Sequence, residues 1–303
     1  MITMRIPPCA PEDARLHEWH ALTVEAPLEA TLEVVDPHHH LWDARGGEGG
    51  AHITQDRPGG AVDPAAVSYG APNPAGCQQR YLLDDVVADI RGSGHNVTQT
   101  VFVECGAMFG RSGPVHLRAL GETLFAQGAA SAAASGTYGP AGICAGITGT
   151  FDLSLDGAAL EETLRLFQAV PNFRGIRSGE TAQGLALLER QGVVYETGMG
   201  GAQTAATAAQ FPQLKIVMNH CCFRLPSEDD GGASLAKWKA DVAAVADCPN
   251  VYAKLGGAGM PSFGFGWADR PAPPSSEEVA EATLEYYGFL LDTLGASRCM
   301  FER

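Results

Sequence analysis

Three of the chain's nine histidines fall together in Asp36-Pro37-His38-His39-His40-Leu41-Trp42. Side chains alternate along a strand, so His38 and His40 share one face and His39 points the other way. Two imidazoles so spaced, at the C-terminal end of a strand, can hold one divalent metal or polarise one carbonyl. His220 follows a second apolar run, Lys215–Asn219. A lone histidine after a strand is more often structural, but paired with a His-x-His at another strand end it completes a converging set. Glu104 sits in Val101-Phe102-Val103-Glu104-Cys105, where a carboxylate is costly without a partner or a role. The expected role is a substrate contact, with a structural ion pair as its plain alternative. Arg177 ends the run Asn172–Arg177 and can grip a carboxylate with two parallel N–H groups, whereas Lys254, ending Val251–Leu255, offers a point charge. Cations and imidazoles around one mouth point to a small anionic substrate.

The elements that would position these groups can be read from apolar periodicity. Eight short runs alternate with helical patterns: Leu32–Val35, Thr100–Cys105, Gly142–Ile147, Phe173–Ile176, Val193–Tyr195, Lys215–Met218, Val251–Leu255 and Arg298–Phe301. Several are continuous Val/Ile/Leu stretches, as strands buried on both faces require. Helices are expected over Leu82–Ile90, Leu160–Ala169, Leu235–Ala246 and Ser276–Leu294. Eight strands with intervening helices suit a (β/α)₈ TIM barrel, and a doubly wound open sheet fits the pattern almost as well. Two Gly/Pro-rich stretches, Ala44–Arg80 and Gly256–Pro274, follow the first and seventh runs; Phe263, Phe265 and Trp267 make the second a folded lid. Residues 1–31 read as an N-terminal extension and 32–303 as the barrel domain.

Other chemistries are excluded. Twenty Lys+Arg against 35 Asp+Glu give a net charge of −15, which disfavours nucleic acid and anionic membrane surfaces. Neither a signal peptide nor a membrane span is apparent, and the eight cysteines contain no C-x-x-C pair. The expected location is therefore the cytoplasm, with reduced thiols; vicinal Cys221-Cys222 read as packing. No G-x-S-x-G elbow, P-loop or G-x-G-x-x-G unit occurs, and His17-Glu18-Trp19-His20 is one residue short of a zinc-protease motif.

From Asp36–Trp42 onward the chain resembles the amidohydrolase-related (amidohydrolase 2) family of TIM-barrel hydrolases. The resemblance continues through Tyr81–Asp85, Gly94–Met108, Phe173–Arg177, Val217–His220, Asn250–Met260 and Phe263–Glu278 to Arg298–Glu302. It implies a site at the C-terminal mouth that hydrolyses or decarboxylates small acids, most like lactonases such as 2-pyrone-4,6-dicarboxylate lactonase. It also implies metal-binding or catalytic roles for His38, His40 and His220 and substrate contacts for Arg177 and Lys254. The implied cofactor is a divalent metal, Zn²⁺ first, although some such lactonases work without one.

Two departures stand out. Relatives carry an aspartate just after the eighth strand, whereas this sequence ends Met300-Phe301-Glu302-Arg303, so the end of the last strand, the catalytic acid and the last helix are expected to be missing. The fifth strand region, Val193–Gln203, lacks a histidine, and Glu196 stands there instead. Without the last helix, apolar surface on strands one and eight would favour self-association. The expected activity is hydrolysis of a small carboxylated lactone, ester or amide; the alternatives are a metal-dependent carboxy-lyase and a truncated non-catalytic paralogue.

Overall fold

The computed structural model describes residues 18–43, 80–222, 233–260 and 265–302. All eight apolar runs become strands: β1 (Glu33–His39), β2 (Asn96–Val103), β3 (Gly142–Gly149), β4 (Phe173–Arg177), β5 (Val194–Thr197), β6 (Ile216–Met218), β7 (Val251–Leu255) and β8 (Cys299–Phe301). They lie side by side in chain order, every neighbouring pair parallel, and β8 returns alongside β1. The result is a nearly closed (β/α)₈ barrel rather than a doubly wound sheet. β1 runs through Pro37 and on to His39. Pro37 has no N–H for the ladder, the register shifts between Asp36 and His39, and the Asp36 carboxylate accepts from the His38 N–H at 3.1 Å.

Between the strands lie α1 (Leu83–Ser93), α2 (Leu120–Ala134), α3 (Gly157–Gln168), α4 (Ala182–Gln191), α5 (Gly201–Gln210), α6 (Ala233–Ala244) and α7 (Ser276–Leu294). Four match the helices expected from periodicity; α2, α4 and α5 do not. α2 buries mostly small side chains, Ala126, Ala129, Ala130 and Ala133, so it carries no stripe of large apolar residues to detect. Local chemistry sets several helix starts. Asp156 caps α3 through the Ala159 N–H at 3.0 Å, and Ser275 and Glu278 form a reciprocal capping box on α7.

Alternation then separates the two faces of the barrel wall. Ile176, Tyr195, Ile216, Met218, Val251 and Ala253 pack outward with the helices. Their neighbours Arg177, Glu196, Val217 and Lys254 face the lumen, where Glu196 and Lys254 meet. Val35 on β1 and Phe301 on β8 are 52% and 62% exposed.

The segment after β7 is folded where described: Phe265 and Trp267 stack at 4.5 Å, and Phe265 meets Tyr286 edge-on. Residues 19–25 lie along it. Trp19 Nε1 donates to the Arg270 carbonyl at 2.8 Å, Thr23 Oγ1 to the Pro273 carbonyl at 3.1 Å, and the Ser276 N–H to Glu25 at 2.9 Å. Residues 1–17 of the expected extension, the loop at 44–79, Phe263, and the side chains of Cys221 and Cys222 lie outside the described residues. No described helix is long and apolar enough to cross a membrane.

Candidate active site

Three donor atoms from the first, sixth and eighth strand ends converge at the C-terminal mouth. Nδ1 of His38 lies 2.9 Å and Nδ1 of His220 2.7 Å from Oε1 of Glu302, and the two imidazoles stack with centroids 4.6 Å apart. His38 and Glu302 are buried. Glu302 stands directly after β8, its N–H donating to the Leu255 carbonyl at 3.2 Å, so the β7–β8 pairing sets its position. His220 reaches the same point through a left-handed backbone (φ 48°), a strained conformation for a non-glycine residue that is typical of functional sites. Two glycines leave room for this. A Cβ on Gly256 would lie 2.4 Å from Glu302 Cβ, and one on Gly257 (φ 82°) 2.9 Å from the His220 ring.

Hydrogen-bond polarity fixes what the cluster can hold. The Val103 carbonyl, 2.7 Å from His40 Nδ1, can only accept, so that nitrogen carries the hydrogen and His40 Nε2 carries a lone pair. His38 Nε2, 3.2 Å away, therefore donates to His40 Nε2. This leaves a lone pair on His38 Nδ1 facing a carboxylate oxygen at 2.9 Å, close but without hydrogen-bond alignment. Two lone-pair atoms so placed call for a cation between them. Burial first, then the charges of Lys254, His40, Arg177 and His220, push the His38 imidazole well below its usual range, so a proton on His38 is disfavoured. Burial and Arg177 depress His40 as well. A divalent metal fits. Ligands about 2.1 Å from zinc stand at most about 4.2 Å apart, and both nitrogen–oxygen distances fall within that reach. Nitrogen and carboxylate donors suit Zn²⁺.

Two buried ion pairs line the lumen below. Arg177 donates through Nε to Glu104 Oε1 at 2.8 Å and through a terminal N–H to the Glu104 carbonyl. Lys254 Nζ lies 2.7 Å from Glu196 Oε2, while Thr148 donates to Glu196 Oε1 at 2.7 Å. Burial pushes the Glu196 carboxyl up, but Lys254, Arg177 and Thr148 outweigh it and hold the group below the ordinary carboxylate range. Glu122, in the first turn of α2, accepts the Cys105 and Ala107 N–H groups at 2.9 Å each and so ties down the loop carrying Glu104. Burial, then the charge of Glu104, raises its pKa to about 8. Cys105 and Cys144 are buried thiols with raised pKa values, Cys144 to about 12, as expected of inert packing cysteines.

The residues singled out from sequence thus meet at one mouth, in a different arrangement from the one expected. His40 faces His38 and Val103 rather than joining His38, His220 and Glu302, and His39 points away to Thr100 and Cys144. Lys254 is 2% exposed and spent on Glu196, which leaves Arg177, 18% exposed in its side chain, as the cation nearer solvent. A carboxylate that was not among the expected site residues, Glu302, stands directly after β8 against both histidines. Sequence reasoning missed it by looking for an aspartate further along. Its place directly after the eighth apolar run was the available signal.

A family model described as amidohydrolase matches residues 35–303. A Sinorhizobium fredii protein described as uncharacterized protein y4mH is 27% identical over 280 residues, covering 83% of this chain and 81% of its own. An amidohydrolase from Burkholderia multivorans, solved with bound zinc, superposes with a TM-score of 0.60 at 19% identity, covering 89% of this chain and 84% of that one. A protein provisionally named 2-pyrone-4,6-dicarboxylic acid hydrolase from Pseudomonas putida gives 0.51 at 19% identity, covering 88% and 81%.

Proposed function

This chain belongs to the amidohydrolase family, and from that premise we propose that it is a hydrolase that opens a small carboxylated lactone, or cleaves a related ester or amide, by water attack at the barrel mouth. The observation carrying this reading is the meeting of His38, His220 and Glu302, with lone pairs facing one another across 2.9 Å. These three residues would hold a divalent cation, with zinc the first choice; the zinc-bound relative from Burkholderia multivorans supports it. When bound, the ion supplies Lewis-acid polarisation of the scissile carbonyl. His40 acts through His38, setting its tautomer from the Val103 carbonyl.

The chain's own residues account for the proton. Glu302 Oε2 is buried and has no hydrogen-bond partner, so it is available as a general base. It takes a proton from the attacking water as the new C–O bond forms. It returns that proton to the leaving oxygen as the ring C–O bond breaks, and the product is a hydroxy acid. The charges favour an anionic substrate: Glu104–Arg177 and Glu196–Lys254 cancel, and Glu302 with a divalent cation leaves one positive charge. One substrate carboxylate balances it, with Arg177 the group placed to meet it.

The test is a pH-indicator assay of acid release from a panel of small lactones, run on zinc-loaded and chelated protein alongside Glu302→Gln. Ring opening that needs the metal and is lost in Glu302→Gln is the expected result. CO₂ release from a carboxylated substrate would replace hydrolysis with decarboxylation, and turnover unaffected by Glu302→Gln would overturn the assignment.

A further inference from the structure

The described asparagines differ in how their amides are used. Asn250 Nδ2 lies 3.4, 3.0 and 2.9 Å from the carbonyls of Ala208, Phe211 and Leu214, and Asn172 Nδ2 donates to the Cys144 carbonyl at 2.9 Å. Both stitch loops to strands. Asn219 does neither. It is 4% exposed, and both Nδ2 and Oδ1 are buried with no hydrogen-bond partner. A buried amide with neither end satisfied is rare in folded proteins and costs stability, so its persistence calls for a reason.

Its position supplies one. Alternation along β6 sends Ile216 and Met218 outward to the helices and Val217 into the lumen, and Asn219 follows at the C-terminal end of the strand, opening the 3-10 turn Asn219–Cys222. Asn219 therefore stands at the mouth end of the barrel wall, directly after β6 and one residue before His220. From there the left-handed turn at His220 swings its imidazole onto Glu302.

We infer that Asn219 is a catalytic residue that touches the substrate, its Nδ2 donating a hydrogen bond to the oxygen of the carbonyl under attack. This rests on the hydrolase reading above and adds the group that steadies the developing oxyanion. The Arg177 and Lys254 side chains are tied to Glu104 and Glu196, and the imidazoles of His38 and His40 to one another, whereas the Asn219 amide is committed to no protein atom. A preorganised neutral donor is well suited to this task, because it need not give up an existing bond as charge appears on the substrate oxygen.

Two variants, Asn219→Leu and Asn219→Ala, test it on the full chain with three readouts: melting temperature of the metal-free protein, zinc affinity by calorimetry, and acetohydroxamate affinity of the zinc-loaded protein. Acetohydroxamate presents a carbonyl oxygen beside a metal-binding group and requires no turnover. The expected result is an unchanged or raised melting temperature for Asn219→Leu, which removes a buried unsatisfied amide at similar volume. Zinc affinity stays within about twofold while acetohydroxamate binds at least about tenfold more weakly to both variants. Hydroxamate affinity equal to the parent's overturns the inference. So does a fall in melting temperature together with lost zinc binding, since the amide would then be structural. Failure of the parent protein itself to bind zinc or the hydroxamate overturns the metal-hydrolase reading, and the inference falls with it.

Discussion

Gly256→Ala is the sharpest test of the site's geometry. The added Cβ would stand 2.4 Å from Glu302 Cβ and 2.6 Å from both its Cγ and Oε2, where ordinary contact begins at 3.4 Å. Relief requires a displacement of 3.4 − 2.4 = 1.0 Å. Neither backbone yields easily, because Phe301 pairs with Leu255 and the Glu302 N–H bonds the Leu255 carbonyl at 3.2 Å. Rotation of the side chain cannot move Cβ, so the backbone at Glu302 must be pushed off against these bonds, carrying Oε1 away from the two histidines. Overpacking of this kind costs about 1–3 kcal/mol, or roughly 2–8 °C in melting temperature for a chain of this size. Losing the carboxylate ligand should weaken zinc binding by about 100-fold or more, equivalent to about 2.7 kcal/mol. Misplacement by 1 Å should lower turnover by a similar factor of about 10². Calorimetric zinc titration and thermal melting read both effects, with Gly259→Ala as the control, since a Cβ there meets nothing within 4 Å. Parental zinc affinity in Gly256→Ala would refute the placement of Glu302 in the metal cluster.

Three other outcomes follow from the same contacts. His40→Ala should weaken zinc by about 10–100-fold, the usual cost of removing a group that orients a ligand, and less than His38→Ala does; equal losses would make His40 a ligand in its own right. Lys254→Met should destabilise the fold by about 3–5 kcal/mol in denaturant unfolding, because it strands a buried Glu196, while Glu196→Gln/Lys254→Met recovers most of that loss. A raised KM without lost stability would instead return Lys254 to the substrate. Glu122, with a folded pKa of about 8 against an ordinary carboxylate value when unfolded, holds its proton more tightly in the native state. Its contribution to stability is therefore complete below the unfolded pKa and is lost as pH rises toward about 8, by at most about 1.4 kcal/mol per unit. Stability of the parent minus that of Glu122→Gln should fall across this window, and a flat difference would contradict the raised value.

How far the sequence disclosed this site depended on which force placed each residue. The barrel strands were legible because burial on two faces writes continuous apolar runs, and all eight appear. α2 was not, because its buried face is alanine, which packs closely without leaving an amphipathic signature. The His38/His40 pair was legible as spacing, since alternation alone puts both on one face. Their division of labour was not, because it is set by the Val103 carbonyl, 63 residues away in sequence.

The charged residues divide along the same line. Glu104, Arg177 and Lys254 stood out as charges in apolar strands, but whether such a cation serves substrate or scaffold depends on its lateral neighbour across the barrel. Glu196 shares a register row with Arg177 and carries the carboxylate that Lys254 meets from two strands away, a relation that no motif within one strand encodes. Glu302 is the same case in reverse. It was passed over because it differs from the aspartate of related phrases, yet β7–β8 pairing delivers its carboxylate to His38 and His220 regardless of the local wording. A strand end in a closed barrel is defined by its height and its neighbours. An acidic side chain directly at the strand end can therefore reach a place that related chains fill from further along, and reading such a chain means matching reach to position rather than letter to letter.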